Sequence, residues 1–202
     1  ISKQDNVPES HITCGNGGAD LLYRLAFGLH PKKVLLPAPA FVEYEEALSA
    51  AGAQMEYYLM RDDFVIKEDI LEQITEDTDF VVICNPNNPT GILTEKELIL
   101  RVLERAKETN TFVMADECFL EICQNESEYT VKPFIEKYEN LIILKSFTKL
   151  YAIPGVRLGY ILAGSEDVIA KVNRTGQAWS VSHIAQCAGV AALSDNVYKE
   201  RV

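Results

Sequence analysis

The sequence is short of positive charge. It holds 19 Lys+Arg against 30 Asp+Glu, a formal net charge of −11, which argues against nucleic acid as a partner. It has no apolar run near the roughly 20 residues that cross a bilayer, so no membrane partner is expected. Residues 1–10 lack the basic-then-apolar order of a secretion signal, and the chain reads as cytoplasmic. The five cysteines, Cys14, Cys84, Cys118, Cys123 and Cys187, form no CxxC pair and leave an odd count. Neither a disulfide framework nor a metal site is therefore expected. What remains is ordinary globular composition, 48% hydrophobic and 24% charged, enough for a sizeable core. The 202 residues fit one large domain with little room for a second.

Short apolar runs alternate with longer amphipathic stretches, and no segment repeats at a fixed spacing. Strands are expected at 34–36, 55–59, 80–84, 112–115, 141–144 and 158–163. Most are too apolar to be half-exposed, which points to a mainly parallel sheet buried on both faces. Helices are expected at 19–29, 42–51, 68–74, 95–109, 167–173 and 183–199, the fourth opened by a capping box of Thr94 and Glu97. The pattern predicts an α/β fold of three layers, α/β/α. The one loop-like stretch, 124–130, is too short for a domain linker.

In such sheets ligands sit beyond the carboxyl ends of the strands. There the chain carries Asn85-Pro-Asn-Asn-Pro-Thr-Gly91, then Asp116, then Lys145-Ser-Phe-Thr-Lys149. Singly, each has a plain reading: a Pro/Asn turn, an N-cap aspartate, a solvated lysine, and at Gly15–Asp20 a flexible entry turn. Together they meet one demand. Gly17, Gly18 and Ala19 at a helix start offer backbone N–H groups to a phosphate. Ser146 and Thr148 add hydroxyls and Arg157 a fixed cation. Phe41 or Tyr44 offers an aromatic face, Asp116 a carboxylate for a ring nitrogen, and Lys149 an amine for an aldehyde. That is the inventory for pyridoxal 5'-phosphate.

The stretches GNGGAD, PAPAFVEY, CNPNNPTG, ADECFLEI, SFTKLYAIPGVRLGY and WSVS run from Gly15 to Ser182. They resemble the fold-type I pyridoxal-phosphate enzymes of the class I/II aminotransferase family, in the group of histidinol-phosphate aminotransferases and threonine-phosphate decarboxylases. The resemblance implies that Lys149 condenses with the cofactor aldehyde and that Asp116 partners the ring nitrogen. It also implies that Asn88 hydrogen-bonds the ring oxygen and that Phe41 stacks on the ring. Gly18, Ala19, Ser146, Thr148 and Arg157 fall on phosphate-binding positions, and Tyr44 on a position that serves either the core or a dimer partner's site.

Two departures from the family pattern bear on function. Transaminating relatives commonly carry tyrosine three residues after the aspartate; here it is Phe119, which has no hydroxyl to donate. With it, the stretches ECFLEI, YAIPGVRLGY and WSVS resemble most the decarboxylases of a phosphorylated amino acid that supply the cobalamin side arm, which is the activity the resemblance implies. The alternatives are a histidinol-phosphate-type aminotransferase and a catalytically silent cofactor-binding or dimerisation fragment. Second, the family's N-terminal arm and its small domain with a carboxylate-binding arginine are not matched. Residues 1–202 are therefore expected to be the cofactor-binding large domain of a homodimeric enzyme, inactive alone.

Overall fold

The computed structural model describes residues 1–199 and 201. Seven strands form one sheet: β1 (Ile12–Gly15), β2 (Lys33–Ala38), β3 (Gln54–Leu59), β4 (Phe80–Cys84), β5 (Phe112–Asp116), β6 (Leu141–Ser146) and β7 (Gly159–Ala163). Their spatial order is β1-β7-β6-β5-β4-β2-β3. Pairs β2/β3, β2/β4, β4/β5 and β5/β6 are parallel, while β7 runs antiparallel to both β6 and β1. Helical segments are α1 (Ser2–Asp5), α2 (Gly17–Leu29), α3 (Val42–Ala50), α4 (Ile70–Gln73), α5 (Lys96–Glu108), α6 (Glu126–Tyr129), α7 (Phe147–Leu150), α8 (Glu166–Thr175), α9 (His183–Ser194) and α10 (Asn196–Lys199).

Alternation along the strands builds two cores, one on each face. Val82, Met114, Ile142 and Leu144 pack against Leu21 and Leu25 of α2, Tyr44 and Leu48 of α3, and Val168 and Val172 of α8. On the other face Val81, Ile83, Val113 and Ile143 meet Ile70 of α4, Ile99, Val102 and Leu103 of α5, and Ala185 of α9. Chain connections from β2 and β4 thus leave to opposite faces, and their diverging loops open a crevice at the carboxyl ends of adjacent strands. Among the described residues no helix is long and apolar enough to cross a membrane.

The three-layer sheet matches the sequence reading, with differences of local cause. Strand β1 was not expected; its four residues Ile-Thr-Cys-Gly carry no apolar run, and it is held by pairing with β7. Strand β3, at the sheet edge, is largely exposed rather than buried on both faces. The expected helix 68–74 shortens to the single turn of α4, and 183–199 breaks at Asp195 into α9 and α10. The loop-like 124–130 contains the single turn of α6. The Thr94–Glu97 capping box does not form, and α5 starts after Glu95 with no side-chain cap. Thr94 is captured instead by Asn85, whose Oδ1 accepts from Thr94 N at 2.9 Å and whose Nδ2 donates to Thr94 O at 3.1 Å.

Candidate active site

The crevice deepens into a cavity of about 150 Å³ lined by Gly18, Ala19, Phe41, Asn88, Asp116, Ser146, Thr148, Lys149 and Arg157. Of the residues assigned to cofactor binding from the sequence, Gly17 alone is missing from this lining. Leu22, Tyr44, Cys84, Cys118, Phe119 and Leu144 complete the wall. Gly17 does not line it but shapes it. At φ +84° Gly17 takes a backbone turn that suits glycine, and a Cβ there would meet Arg157 Nη2 at 2.5 Å. The guanidinium therefore lies against the start of α2.

That start is open to an anion. Asn16, the N-cap of α2, makes no side-chain cap bond and its own amide donates to Asp20 Oδ2 at 2.9 Å, while Gly18 and Ala19 of the first turn line the cavity. Gly159 lets β7 approach closely: a Cβ there would meet Lys145 O at 3.0 Å, and Gly17 C and Gly18 N at 3.1 Å. On the neighbouring strand end, Ser146 Oγ and Thr148 Oγ1 stand 2.7 Å apart, and Ser146 Oγ accepts from Thr148 N at 3.3 Å. Arg157 sits in the left-handed backbone region at φ 55°, with Nη1 donating to Pro154 O at 3.3 Å. Gly18 and Ala19 of the helix start, two hydroxyls and a guanidinium thus line the same cavity, the donor set a phosphate requires.

Asp116 ends β5 on the cavity face and is buried. Its Oδ2 accepts a 2.6 Å hydrogen bond from the Tyr44 hydroxyl, and its Oδ1 accepts from Cys118 N at 2.9 Å. The aspartate is not the helix N-cap of its plain reading, since Phe119 precedes the next helical turn without a side-chain cap; it bonds the amide two residues on and lines the cavity. Burial, then the nearby Asp116 charge, hold the Tyr44 hydroxyl well above the ordinary tyrosine range, so it stays a donor. Burial and the same carboxylate push the Cys84 thiol up to about 12. Burial, then the same carboxylate, also holds the Cys118 thiol well above its ordinary range. These two cysteines are protonated wall residues, not nucleophiles.

Of the Asn-Pro-Asn-Asn-Pro-Thr stretch, only one asparagine faces the cavity. Asn85 is occupied by Thr94, and Asn87 Nδ2 donates to Pro39 O at 3.1 Å and to Thr90 Oγ1 at 3.0 Å. The bond to Pro39 ties the loop after β4 to the loop after β2, the others brace the loop itself, and Asn88 is left on the cavity wall. Phe41, just before α3, meets Tyr44 edge-on with ring centroids 5.6 Å apart. Lys149 lies in α7, exposed, with Nζ 4.7 Å from the centre of the Phe119 ring.

Sequence reasoning left Tyr44 open between core and partner's site; it is 1% exposed and bonded to Asp116. Its position three residues after Phe41, at the start of a helix, was the available signal. The apolar floor of Leu22 and Leu144 had no signal beyond its period. The chemistry of the set fits pyridoxal phosphate: one cavity wall carries anion donors, a carboxylate, an amide and an exposed amine.

Comparison with known proteins is consistent with this geometry. The family profile for aminotransferases of class I and II matches residues 2–201. The chain is 34% identical over 202 residues to threonine-phosphate decarboxylase of Salmonella typhimurium, covering 99% of this chain and 55% of that protein. It is 36% identical over 203 residues to histidinol-phosphate aminotransferase of Ruminiclostridium cellulolyticum, covering 98% and 54%. The crystal structure of histidinol-phosphate aminotransferase from Clostridium acetobutylicum superposes with a TM-score of 0.92 at 29% identity, covering all of this chain and 59% of that one. The chain thus spans a little over half the length of these relatives.

Proposed function

The chain belongs to the class I and II aminotransferase family, whose members use pyridoxal phosphate, and from that premise we propose that it is the cofactor-binding large domain of a decarboxylase acting on threonine phosphate. The observation that carries this reading is the single cavity on which Lys149, Asp116, Arg157 and Phe119 converge.

When bound, the cofactor supplies an aldehyde that captures the substrate amine and a ring that accepts the electron pair left by a broken bond. The chain's own groups then divide the work. Gly18 and Ala19 amides, the Ser146 and Thr148 hydroxyls and the Arg157 guanidinium hold the phosphate; Gly17 leaves room for that guanidinium. Asp116, oriented by Tyr44 and Cys118 N, holds a proton on the ring nitrogen, which keeps the ring electron-poor. Asn88 would donate to the ring oxygen, and Phe41 would offer its aromatic face to the ring. Lys149 Nζ would hold the cofactor through its aldehyde and, once freed, would be placed to carry a proton.

Decarboxylation is favoured by Phe119, which stands at the cavity wall beside Lys149 and brings no hydroxyl to the ring oxygen. The aminotransferase reading draws on the likeness to histidinol-phosphate aminotransferases in sequence and fold. Groups that orient the substrate carboxylate, and a second copy in a homodimer, are proposed to complete the site. The test is product analysis on the full-length protein supplied with both substrates. Carbon dioxide and aminopropanol phosphate are expected from threonine phosphate. Stoichiometric conversion of the cofactor to its amine form by histidinol phosphate would hand the assignment to the aminotransferase.

A further inference from the structure

Behind the cavity, on the opposite face of the sheet, lies a buried charge cluster that the proposed chemistry leaves unused. Lys145 is 0% exposed. Its Nζ stands 3.6 Å from Glu117 Oε2, 3.7 Å from Glu121 Oε1 and 3.6 Å from Glu126 Oε1, with no hydrogen-bond partner. Strand parity explains the placement. Asp116 and Glu117 are consecutive, as are Lys145 and Ser146, so each pair sends one side chain into the cavity and the other behind it.

All three carboxylates belong to the excursion between β5 and β6. Glu117 is further pinned by Thr130 Oγ1 at 2.8 Å and Val131 N at 2.9 Å. Residues 117–131 are thereby closed into a ring around one cation rooted in β6, and Cys118 and Phe119 of the cavity wall ride on that ring. Burying Lys145 and Glu117 is costlier than burying apolar side chains in their place, so stability alone is a poor account of the cluster. Geometry is a better one: the cluster couples the segment carrying Asp116 and Phe119 to the segment carrying Ser146 and Lys149.

We propose that Lys145 is a positioning residue, holding the 117–131 excursion against β6 so that Asp116 and Phe119 keep their places opposite Ser146 and Lys149. The proposal rests on the reading of the cavity as a cofactor site. It makes Lys145 a contributor to that site through the sheet, without touching what binds there.

The test compares wild type, Lys145→Met and Lys145→Arg by amide hydrogen exchange without cofactor and by spectroscopic titration with pyridoxal phosphate. The Cys118 amide is the reporter, because it donates to Asp116 Oδ1. In Lys145→Met its exchange, and that of residues 118–131, is expected to rise about tenfold while β4 and α5 keep their protection. Pyridoxal phosphate should bind about tenfold more weakly with a shifted absorbance band, and Lys145→Arg should restore both. Wild-type exchange and affinity in Lys145→Met would overturn the proposal, as would a uniform rise across β4 and α5, the mark of a merely structural role. Should Lys145→Met not fold, Glu126→Gln, at a side chain 33% exposed, is expected to give the same local pattern at about threefold. An unchanged Cys118 amide there would overturn the proposal equally. A wild type that does not bind pyridoxal phosphate would refute the cofactor reading, and the exchange arm would then decide on Lys145 alone.

Discussion

The Tyr44 hydroxyl donates a 2.6 Å hydrogen bond to Asp116 Oδ2, joining the helix after β2 to the end of β5 across the intervening β4. The bond spans the crevice where the connections diverge, and it leaves the carboxylate with one orientation toward the cavity. Tyr44→Phe keeps the ring's volume and deletes the donor. It is expected to lower stability by about 1–3 kcal/mol, the penalty for a buried acceptor losing a partner. Urea denaturation checks this; an unchanged midpoint at equal slope would show that the bond contributes nothing. Because burial holds Tyr44 well above its ordinary range, cofactor binding in the wild type should show no break from this hydroxyl below about pH 10.

Alkaline stability provides a second prediction. The Cys84 thiol is raised from 9.0 to about 12, first by burial and then by the Asp116 charge. A group raised on folding contributes stability that is complete below its unfolded pKa and is lost as pH rises toward the folded one. The chain should therefore weaken between pH 9 and about 12, with a slope of up to ~1.4 kcal/mol per pH unit for this group. Cys84→Ala is expected to flatten that slope. Denaturant midpoints at several alkaline pH values decide the matter, since equal slopes in both proteins would contradict it.

Much of this architecture is legible in the sequence, for a physical reason. Strands β4 to β7 are buried on both faces and so read as apolar runs. The residues after their carboxyl ends then mark the site, which is how Asn88, Asp116 and the Ser146–Lys149 stretch could be grouped. What stays hidden is whatever depends on distant partners. Strand β1 exists through its pairing with β7. Tyr44 and Asp116 are separated by 72 positions, and nothing local in either segment announces the other. Thr94 is drawn from its expected capping role by Asn85, whose amide reaches back from the strand end. Lys145 would pass for a surface lysine, and only its parity against Ser146 places it inward.

Lys149 and Arg157 should separate attachment from affinity. Borohydride reduction of the cofactor-loaded chain followed by peptide mapping is expected to label Lys149 and no other lysine. Lys149→Ala should abolish the label yet keep phosphate-anchored binding, since the cradle at the start of α2 is untouched. Arg157→Ala should keep the label and weaken binding about tenfold or more, the scale of a charge-assisted contact. Label on another lysine in the wild type would remove Lys149 from its assigned role. An Arg157→Ala variant with unchanged affinity would do the same for the guanidinium.

Phe119→Tyr carries the sharpest functional prediction. The ring face 4.7 Å from Lys149 Nζ is retained in tyrosine, so the cation–π contact, worth about 0.5–1 kcal/mol, should survive. What changes is a hydroxyl added at the wall of the cavity. In the reading favoured above, Asn88 alone serves the ring oxygen; a second donor there would stabilise negative charge on that oxygen and shift the balance between the two outcomes. Phe119→Tyr in the full-length protein is therefore expected to raise conversion of cofactor to its amine form relative to carbon dioxide release. The ratio should change by about tenfold, the scale of one hydrogen bond to a charged group. The ratio is insensitive to how much of the variant folds, because both products come from the same folded molecules. An unchanged ratio would leave Phe119 as a side chain that fills space beside buried Cys118, and the choice of reaction would then rest on the groups that orient the substrate.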